Sequence, residues 1–258
     1  MIPLVDTHCH LLAGLDDGPR NDDDALAMCD IALQEGTRTI CAVAHQNERY
    51  CDVTPERIRT ATRRLAEQLR LRGSELTVVP CAEVMVWPDL EPAWTEGRLL
   101  SVGDTGKYLL IELPHGLFVD LTGLTHRLMD AGVRPILAHP ERQPEYLDDV
   151  SLIEALVEMG CLVQVSSGSV TEPPRSLDVG RLKKWFRRGL VHLLGSDGHS
   201  PRRRRPLMAA AYERIGKWAG AAVADRVCGS NGAAVVQGLP LRLPPPQPAR
   251  QRRWWLPW

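Results

Sequence analysis

The feature that most constrains this chain is a regular alternation: short apolar or β-branched runs recur along it, each followed by a segment with helical spacing. Repeated βα units joined into a largely parallel sheet satisfy that pattern, because each crossover helix covers a sheet face that water would otherwise reach. The runs predict strands at Leu4 to His8, Thr39 to Ala44, Leu76 to Val79, Tyr108 to Glu112, Pro135 to Ala138, Cys161 to Val165 and Val191 to Gly195. Helices are predicted over Asn21 to Glu35, Thr54 to Leu71, Leu121 to Ala131, Asp149 to Met159, Leu177 to Arg188 and Leu207 to Ala219. Gly36, Gly73, Gly132, Gly160 and Gly189 stand at the predicted helix ends, where a left-handed residue closes the last turn. Seven strands in this order fit a barrel better than a sandwich, and 258 residues suffice to bury one large core or two modest ones.

Charge and cysteine usage narrow the function classes. Lys plus Arg total 31 against 32 Asp plus Glu, a net charge of −1 that gives no bulk electrostatic reason to expect a nucleic-acid partner. The opening MIPLVDTHCH lacks a basic segment and an apolar stretch, and no run approaches the roughly 20 apolar residues of a membrane helix, so a cytoplasmic protein is expected. The seven cysteines, without a CxxC, read as reduced thiols. Residues 201 to 258 hold eleven Lys/Arg against two Asp/Glu, which leaves the first 200 residues acidic. One explanation is that carboxylates there are gathered around cations. Beyond residue 238 the sequence LPLRLPPPQPARQRRWWLPW changes character; five prolines between 240 and 248 favour an extended, unpacked tail over residues 239–258.

Metal-ligating residue types accumulate at one place in the predicted pattern. His8 and His10 are two apart at the end of the first strand, and a period of two sends both imidazoles to the same face. His45 follows ICAVA, Glu83 follows VVPCA, Glu112 ends YLLIE, His139 follows PILA, and Asp197 and His199 follow HLLGS. All lie at strand C-terminal ends, the edge where parallel α/β folds build their sites. Asp17, in the turn LDDGP, adds a ninth donor. A single catalytic zinc takes three protein ligands, so nine donors call for a polynuclear site. Imidazole with carboxylate and no thiolate suits Mn, Zn or Fe over Cu(I). His115, His126 and His192 are left as ordinary surface, helix or strand residues.

HCHLLAGLDDGP, the histidine after strand two, LIELP, ILAHPER and GSDGH, taken jointly, resemble the PHP (polymerase and histidinol phosphatase) superfamily, and above all its bacterial tyrosine phosphatase branch, over residues 2 to about 238. The resemblance implies an α/β fold, a distorted (β/α)7 TIM-like barrel, with a centre of three divalent ions, usually Mn2+, with Zn2+, Fe2+ or Mg2+ as alternatives. It implies hydrolysis of phosphotyrosine on autophosphorylating tyrosine kinases that govern capsule or exopolysaccharide synthesis. By similarity His8, His10 and Asp197 would hold one ion, Glu112 and His139 a second, Asp17, His45 and His199 a third, with Glu83 bridging. The implied chemistry is attack on phosphorus by a hydroxide that the cations generate near neutral pH. Arg142 in HPER, and Arg205 as the arginine before a proline, would hold phosphate oxygens bidentately; the run Arg202 to Arg205 leaves open which one reaches the site.

Three departures from the usual pattern bear on substrate shape: Gln46 after His45 where a second histidine is common, Gln143 for an aromatic after HPER, and SDGH for SDAH. Competing readings are a histidinol phosphatase or another small-molecule phosphomonoesterase on the same metals, and a non-catalytic metal-binding or nucleic-acid-associated module. Cys51 and Arg57 satisfy the bare C-x5-R spacing of cysteine-dependent tyrosine phosphatases. Asp52 and Glu56 would repel phosphate there and Pro55 lacks an amide donor, so that chemistry is not expected.

Overall fold

The computed structural model describes residues 2–241 and 243. Seven strands, β1 (Leu4–His10), β2 (Thr37–Gln46), β3 (Thr77–Met85), β4 (Tyr108–Glu112), β5 (Arg134–Ala138), β6 (Leu162–Ser166) and β7 (Leu193–Gly195), pair in sequence order, every pair parallel. Helices lie between them as the alternation requires. The edge between β1 and β7 is nearly closed by the chain leaving β7: Asp197 N donates to His8 O at 2.7 Å and His10 N to Gly198 O at 2.9 Å. Glycine permits that approach, since a Cβ on Gly195 would stand 2.4 Å from the Cβ of His8. The result is the expected α/β, TIM-like barrel.

The helix Val179–Arg188 shows how the outer layer forms. Asp178 accepts from Arg181 N at 3.1 Å as N-cap, and Gly189 at φ 73° ends the helix. Leu182, Trp185 and Phe186, spaced three and four apart, are its buried residues. Truncating a side chain such as Trp185 to alanine costs about 3–5 kcal/mol in a packed core.

Three strands run longer than the apolar runs suggested. β2 continues through His45 and β1 through His10, because polar side chains at the strand ends are buried in the barrel mouth. β3 passes through Pro80, which donates no backbone hydrogen bond; its pairing with β4 begins only at Glu83, beyond the proline. At the opposite end, Leu241 and Leu243 pack against the inward-facing cluster of Leu110, Ile136, Leu162 and Leu193, and Tyr108 donates its hydroxyl to Leu239 O at 2.7 Å. The chain thus still packs on the barrel just past residue 238; the rest of the expected tail lies outside the described residues. No helix among the described residues is long and apolar enough to cross a membrane.

Candidate metal centre

The donors are where strand alternation sends them. The inward row of β2 runs Cys41, Val43, His45, that of β3 Cys81, Glu83, and that of β4 Tyr108, Leu110, Glu112; the apolar members form one buried cluster and the last member of each row is a donor. His8 and His10 end the row of β1, and Asp197 and His199 follow β7. His139 follows Ala138, an inward residue, and so falls out of the alternation; its left-handed backbone, φ 34°, turns the chain there. Asp197 is left-handed too, at φ 53°, so two of the donors sit in a backbone region that non-glycine residues occupy at a cost of order 1–3 kcal/mol. Eight donors line one cavity of about 480 Å³, with His8 buried beneath them.

Hydrogen bonds settle which ring nitrogens face the cavity. Gln164 donates its amide to Thr7 O at 3.1 Å and to Thr7 Oγ1 at 2.8 Å, so its Oε1 is the acceptor opposite His8 Nδ1, 2.8 Å away. Asp16 Oδ2 lies 2.7 Å from His10 Nδ1, and the carbonyl of Asp197, which only accepts, lies 2.9 Å from His199 Nδ1. All three rings therefore carry a proton on Nδ1, and their Nε2 atoms are left to the cavity. The Nε2 atoms of His8 and His10 are 3.2 Å apart, each 3.2 Å from Glu83 Oε2. Two nitrogen lone pairs and a carboxylate at that spacing repel one another unless positive charge sits among them.

Carboxylates make the charge demand larger. Glu83 is 1% exposed and Asp197 5%, in a mouth that also contains Glu112 and Asp17. Burial pushes Glu83 up, but His8, His10 and His139 outweigh it and hold the carboxyl well below its usual range. Asp197 is likewise held low against burial by His8 and Arg142. The imidazoles respond in kind: burial pushes His8 and His10 down, yet Glu83, Asp197 and Asp16 raise both above the ordinary value. Burial dominates at His199 and lowers it. His45 Nδ1 and Glu112 Oε1 are 3.1 Å apart, but in a geometry that makes no hydrogen bond, and both atoms are buried without a hydrogen-bond partner among the described residues. A donor set that gathers protons in this way, with orphaned polar atoms aimed together, fits divalent cations, which compete for the same nitrogens.

Four overlapping groups have ligand atoms within 4.8 Å of one another: His10, Asp17, His45 and His199; His8, His10 and Asp197; His8, Glu83 and His139; His45, Glu83 and Glu112. The structure thus brings all nine sequence-predicted donors into one cluster, with Glu83 shared between two groups. Glu112 and His139, expected to share an ion, fall in different groups. Both predicted arginine regions reach the cavity. Arg142 contacts Asp197 Oδ2 and donates to Ser166 Oγ at 3.2 Å. In the basic run the residue at the cavity is Arg204, 2.5 Å from Asp197 Oδ2, while Arg205 is exposed and does not line it. The reason is local: Arg204 O accepts from His199 N and Ser200 N, which folds the loop back over Asp197.

Several contributors were not predicted. The Asp16 carboxylate is buried and, besides facing His10, accepts from His45 N at 3.0 Å and Gly18 N at 2.9 Å; its neighbour Asp17 is 41% exposed at the outer edge. Gln164 lies in the inward row of β6, a signal visible in QVS of LVQVS. Tyr50 stacks parallel to His45, ring centroids 5.7 Å apart. His115 lines the cavity rim. The C-x5-R segment is no phosphate cradle: Thr54 accepts from Arg57 N at 3.3 Å as a helix N-cap, and the Arg57 guanidinium pairs with the Asp52 carboxylate.

The family model described as capsular polysaccharide synthesis, CpsB/CapC, matches residues 4–237. The chain belongs to this family. It is 30% identical over 255 residues to the tyrosine-protein phosphatase YwqE of Bacillus subtilis (strain 168), covering 97% of this chain and 98% of YwqE. It is 27% identical over 240 residues to the tyrosine-protein phosphatase CpsB of Streptococcus pneumoniae, covering 90% and 98%. A crystal structure from work describing YwqE and CpsB as unique metal-dependent tyrosine phosphatases superposes with a TM-score of 0.88 at 30% identity, covering 96% of this chain and all of that one. The lactonase Lmo2620 from Listeria monocytogenes, with a TM-score of 0.53 at 9% identity over 91% of this chain and 94% of that one, shares the fold alone. Membership in the CpsB/CapC family accounts for the PHP-like motifs and for the barrel together.

Proposed function

We propose that this CpsB/CapC chain is a cytoplasmic, metal-dependent protein-tyrosine phosphatase that acts on the phosphotyrosine of a tyrosine autokinase in capsule or exopolysaccharide regulation. The observation that carries the metal dependence is the pair of facing His8 and His10 Nε2 atoms, 3.2 Å apart over Glu83. The nine donors His8, His10, Asp17, His45, Glu83, Glu112, His139, Asp197 and His199 would hold a cluster of three ions, and four carboxylates among them favour Mn2+ or another divalent cation that accepts oxygen with nitrogen. Such cations supply an acidified water near neutral pH and neutralise charge on the phosphoryl oxygens.

The chain's own residues do the rest. Gln164 Oε1, Asp16 Oδ2 and Asp197 O keep the protons of His8, His10 and His199 on Nδ1, so each Nε2 stays available. Asp197 divides its oxygens: Oδ1 is 3.7 Å from His8 Nε2 and 3.6 Å from His199 Nδ1, while Oδ2 faces Arg142 and Arg204. The two guanidinium groups are thereby held beside the donors, placed to bind the phosphoryl oxygens of the substrate. Steady-state comparison of a phosphotyrosyl peptide with histidinol phosphate tests the reading, the peptide being the preferred substrate. Arg204→Ala is expected to lower kcat/KM by roughly 10²–10³, as loss of one transition-state donor does, and Arg205→Ala by far less. Preference for histidinol phosphate would overturn the substrate assignment.

A further inference from the structure

A second cavity opens beside the metal centre. It encloses about 750 Å³ between the loops that follow β2, β3 and β4. Its apolar walls are Val53, Met85, Val86, Trp87, Leu99 and Pro114, and Glu48 and Arg98 are the charged residues that line it with them. Val53 and Leu99 are buried, whereas Val86 and Trp87 are partly exposed. The polar groups around it are largely spent elsewhere. Gln46 donates to Val53 O at 3.1 Å and to Arg98 O at 3.2 Å and accepts from Leu100 N at 3.0 Å, which braces the surrounding loops, and Arg98 pairs with Glu96 at 2.7 Å. A concave apolar surface of this volume falls in the range of ligand pockets, and nothing in the metal chemistry uses it.

This groove is continuous with the metal cavity. Asn47, Tyr50 and Met85 line both, and Tyr50 is the ring stacked on the donor His45. Across the mouth, beyond β7, lies the basic run that includes Arg204. β3 and β7 are separated by three strands in the barrel order, so the apolar groove and the basic run flank the metals from different sides. A polypeptide whose phosphotyrosine enters between them has a continuous path past Tyr50 into the groove.

We infer that the groove is a specificity subsite of the phosphatase, taking an apolar side chain of the substrate polypeptide next to the phosphotyrosine. The inference rests on the phosphotyrosine reading above and adds to it a sequence preference: the enzyme selects the residues that flank the phosphotyrosine as well as the phosphoryl group. Trp87 is the bulkiest side chain that lines the groove and takes no part in the metal cluster or the arginine pair, so it tests the subsite without touching the chemistry.

The experiment uses the full chain loaded with Mn2+, free phosphotyrosine, p-nitrophenyl phosphate, and a phosphotyrosyl peptide set in which leucine or serine is scanned through two positions on each side. At one position leucine should raise kcat/KM over serine by about tenfold, the discrimination a buried aliphatic group provides in a pocket. Trp87→Ala should shrink that ratio to about twofold while turnover of p-nitrophenyl phosphate stays at the wild-type rate, and Trp87→Phe should restore most of it. Equal kcat/KM for leucine and serine at every position, or a preference that Trp87→Ala leaves intact, overturns the subsite and spares the phosphatase reading. Failure to hydrolyse phosphotyrosine itself overturns both.

Discussion

The two ends of the barrel treat the same side chain in opposite ways. At the mouth, His8 and His10 are buried among Glu83, Asp197 and Asp16, and the carboxylates lift their proton affinity although burial opposes it. At the base, His192 is also buried, yet burial, helped by the charge of Arg134, pushes it down to about 3. There its Nδ1 accepts from Val163 N at 2.9 Å and its carbonyl accepts from Asn231 Nδ2 at 2.9 Å, just before β7 enters the apolar inward cluster at Leu193. The base is built for the neutral ring and for stability. The mouth collects negative charge, left-handed backbone and unpaired polar atoms, features that lower stability and have value only when cations and substrate arrive.

The largest effect separating the two ends is expected from paired substitutions. His8→Ala should cut phosphotyrosyl-peptide turnover per folded molecule by at least about 10³, while its cost to the metal-free protein is confined to the pH range in which the raised proton affinity of His8 stabilises the fold. Leu162→Ala at the base should instead cost about 2–5 kcal/mol of folding stability with turnover per folded molecule retained. Activity assays beside urea unfolding check both, and a His8 variant that unfolds readily would blur the distinction.

The pH dependence of the two ends has opposite sign. For His192 the folded value, about 3, lies below the unfolded one near 6.5; its contribution is therefore complete above pH 6.5 and is lost as pH falls toward 3. Stability should decline by up to about 1.4 kcal/mol per pH unit across that window, and His192→Asn, which keeps an acceptor for Val163 N, should flatten the slope. For His8 and His10 the folded values are raised. Their contribution in the metal-free protein is complete below 6.5 and fades as pH rises through the folded values, while metal affinity climbs as those protons leave. Urea titrations at several pH values, with and without Mn2+, sharpen the contrast; parallel slopes for wild type and His192→Asn would break it.

A smaller effect tests how the mouth is braced. Gln164→Leu leaves the His8 ring in place without its Nδ1 partner, and such outer partners are worth roughly 10- to 100-fold in metal affinity. Calorimetric titration of Mn2+ into the stripped variant measures it. Unchanged affinity would show that packing alone orients His8.

Much of this was legible in the chain because strand alternation is a local rule. Continuing the inward rows by two residues from Val43 and Leu110 reaches His45 and Glu112, so the barrel and most of its donors follow from apolar runs and the residues that end them. His139 was found by its place at a strand end, not by alternation, since a left-handed turn interrupts the period. Asp16 and Gln164 were missed because their importance lies in one hydrogen bond each to a ring nitrogen, which residue type and spacing do not encode. Arg205 was expected and Arg204 is at the cavity, since the outcome depends on how the loop after β7 folds back on His199 and Ser200. The apolar groove beside Tyr50 is assembled from loops after three different strands, and no stretch of sequence announces it.

The most direct measurement is phosphotyrosyl-peptide turnover by chelator-stripped protein, with bound metal quantified in the same samples before stripping and after adding back Mn2+. The cluster described here requires more than one divalent ion per chain, turnover that vanishes as the ions leave, and recovery as they return. Undiminished turnover in protein shown to be metal-free would contradict it.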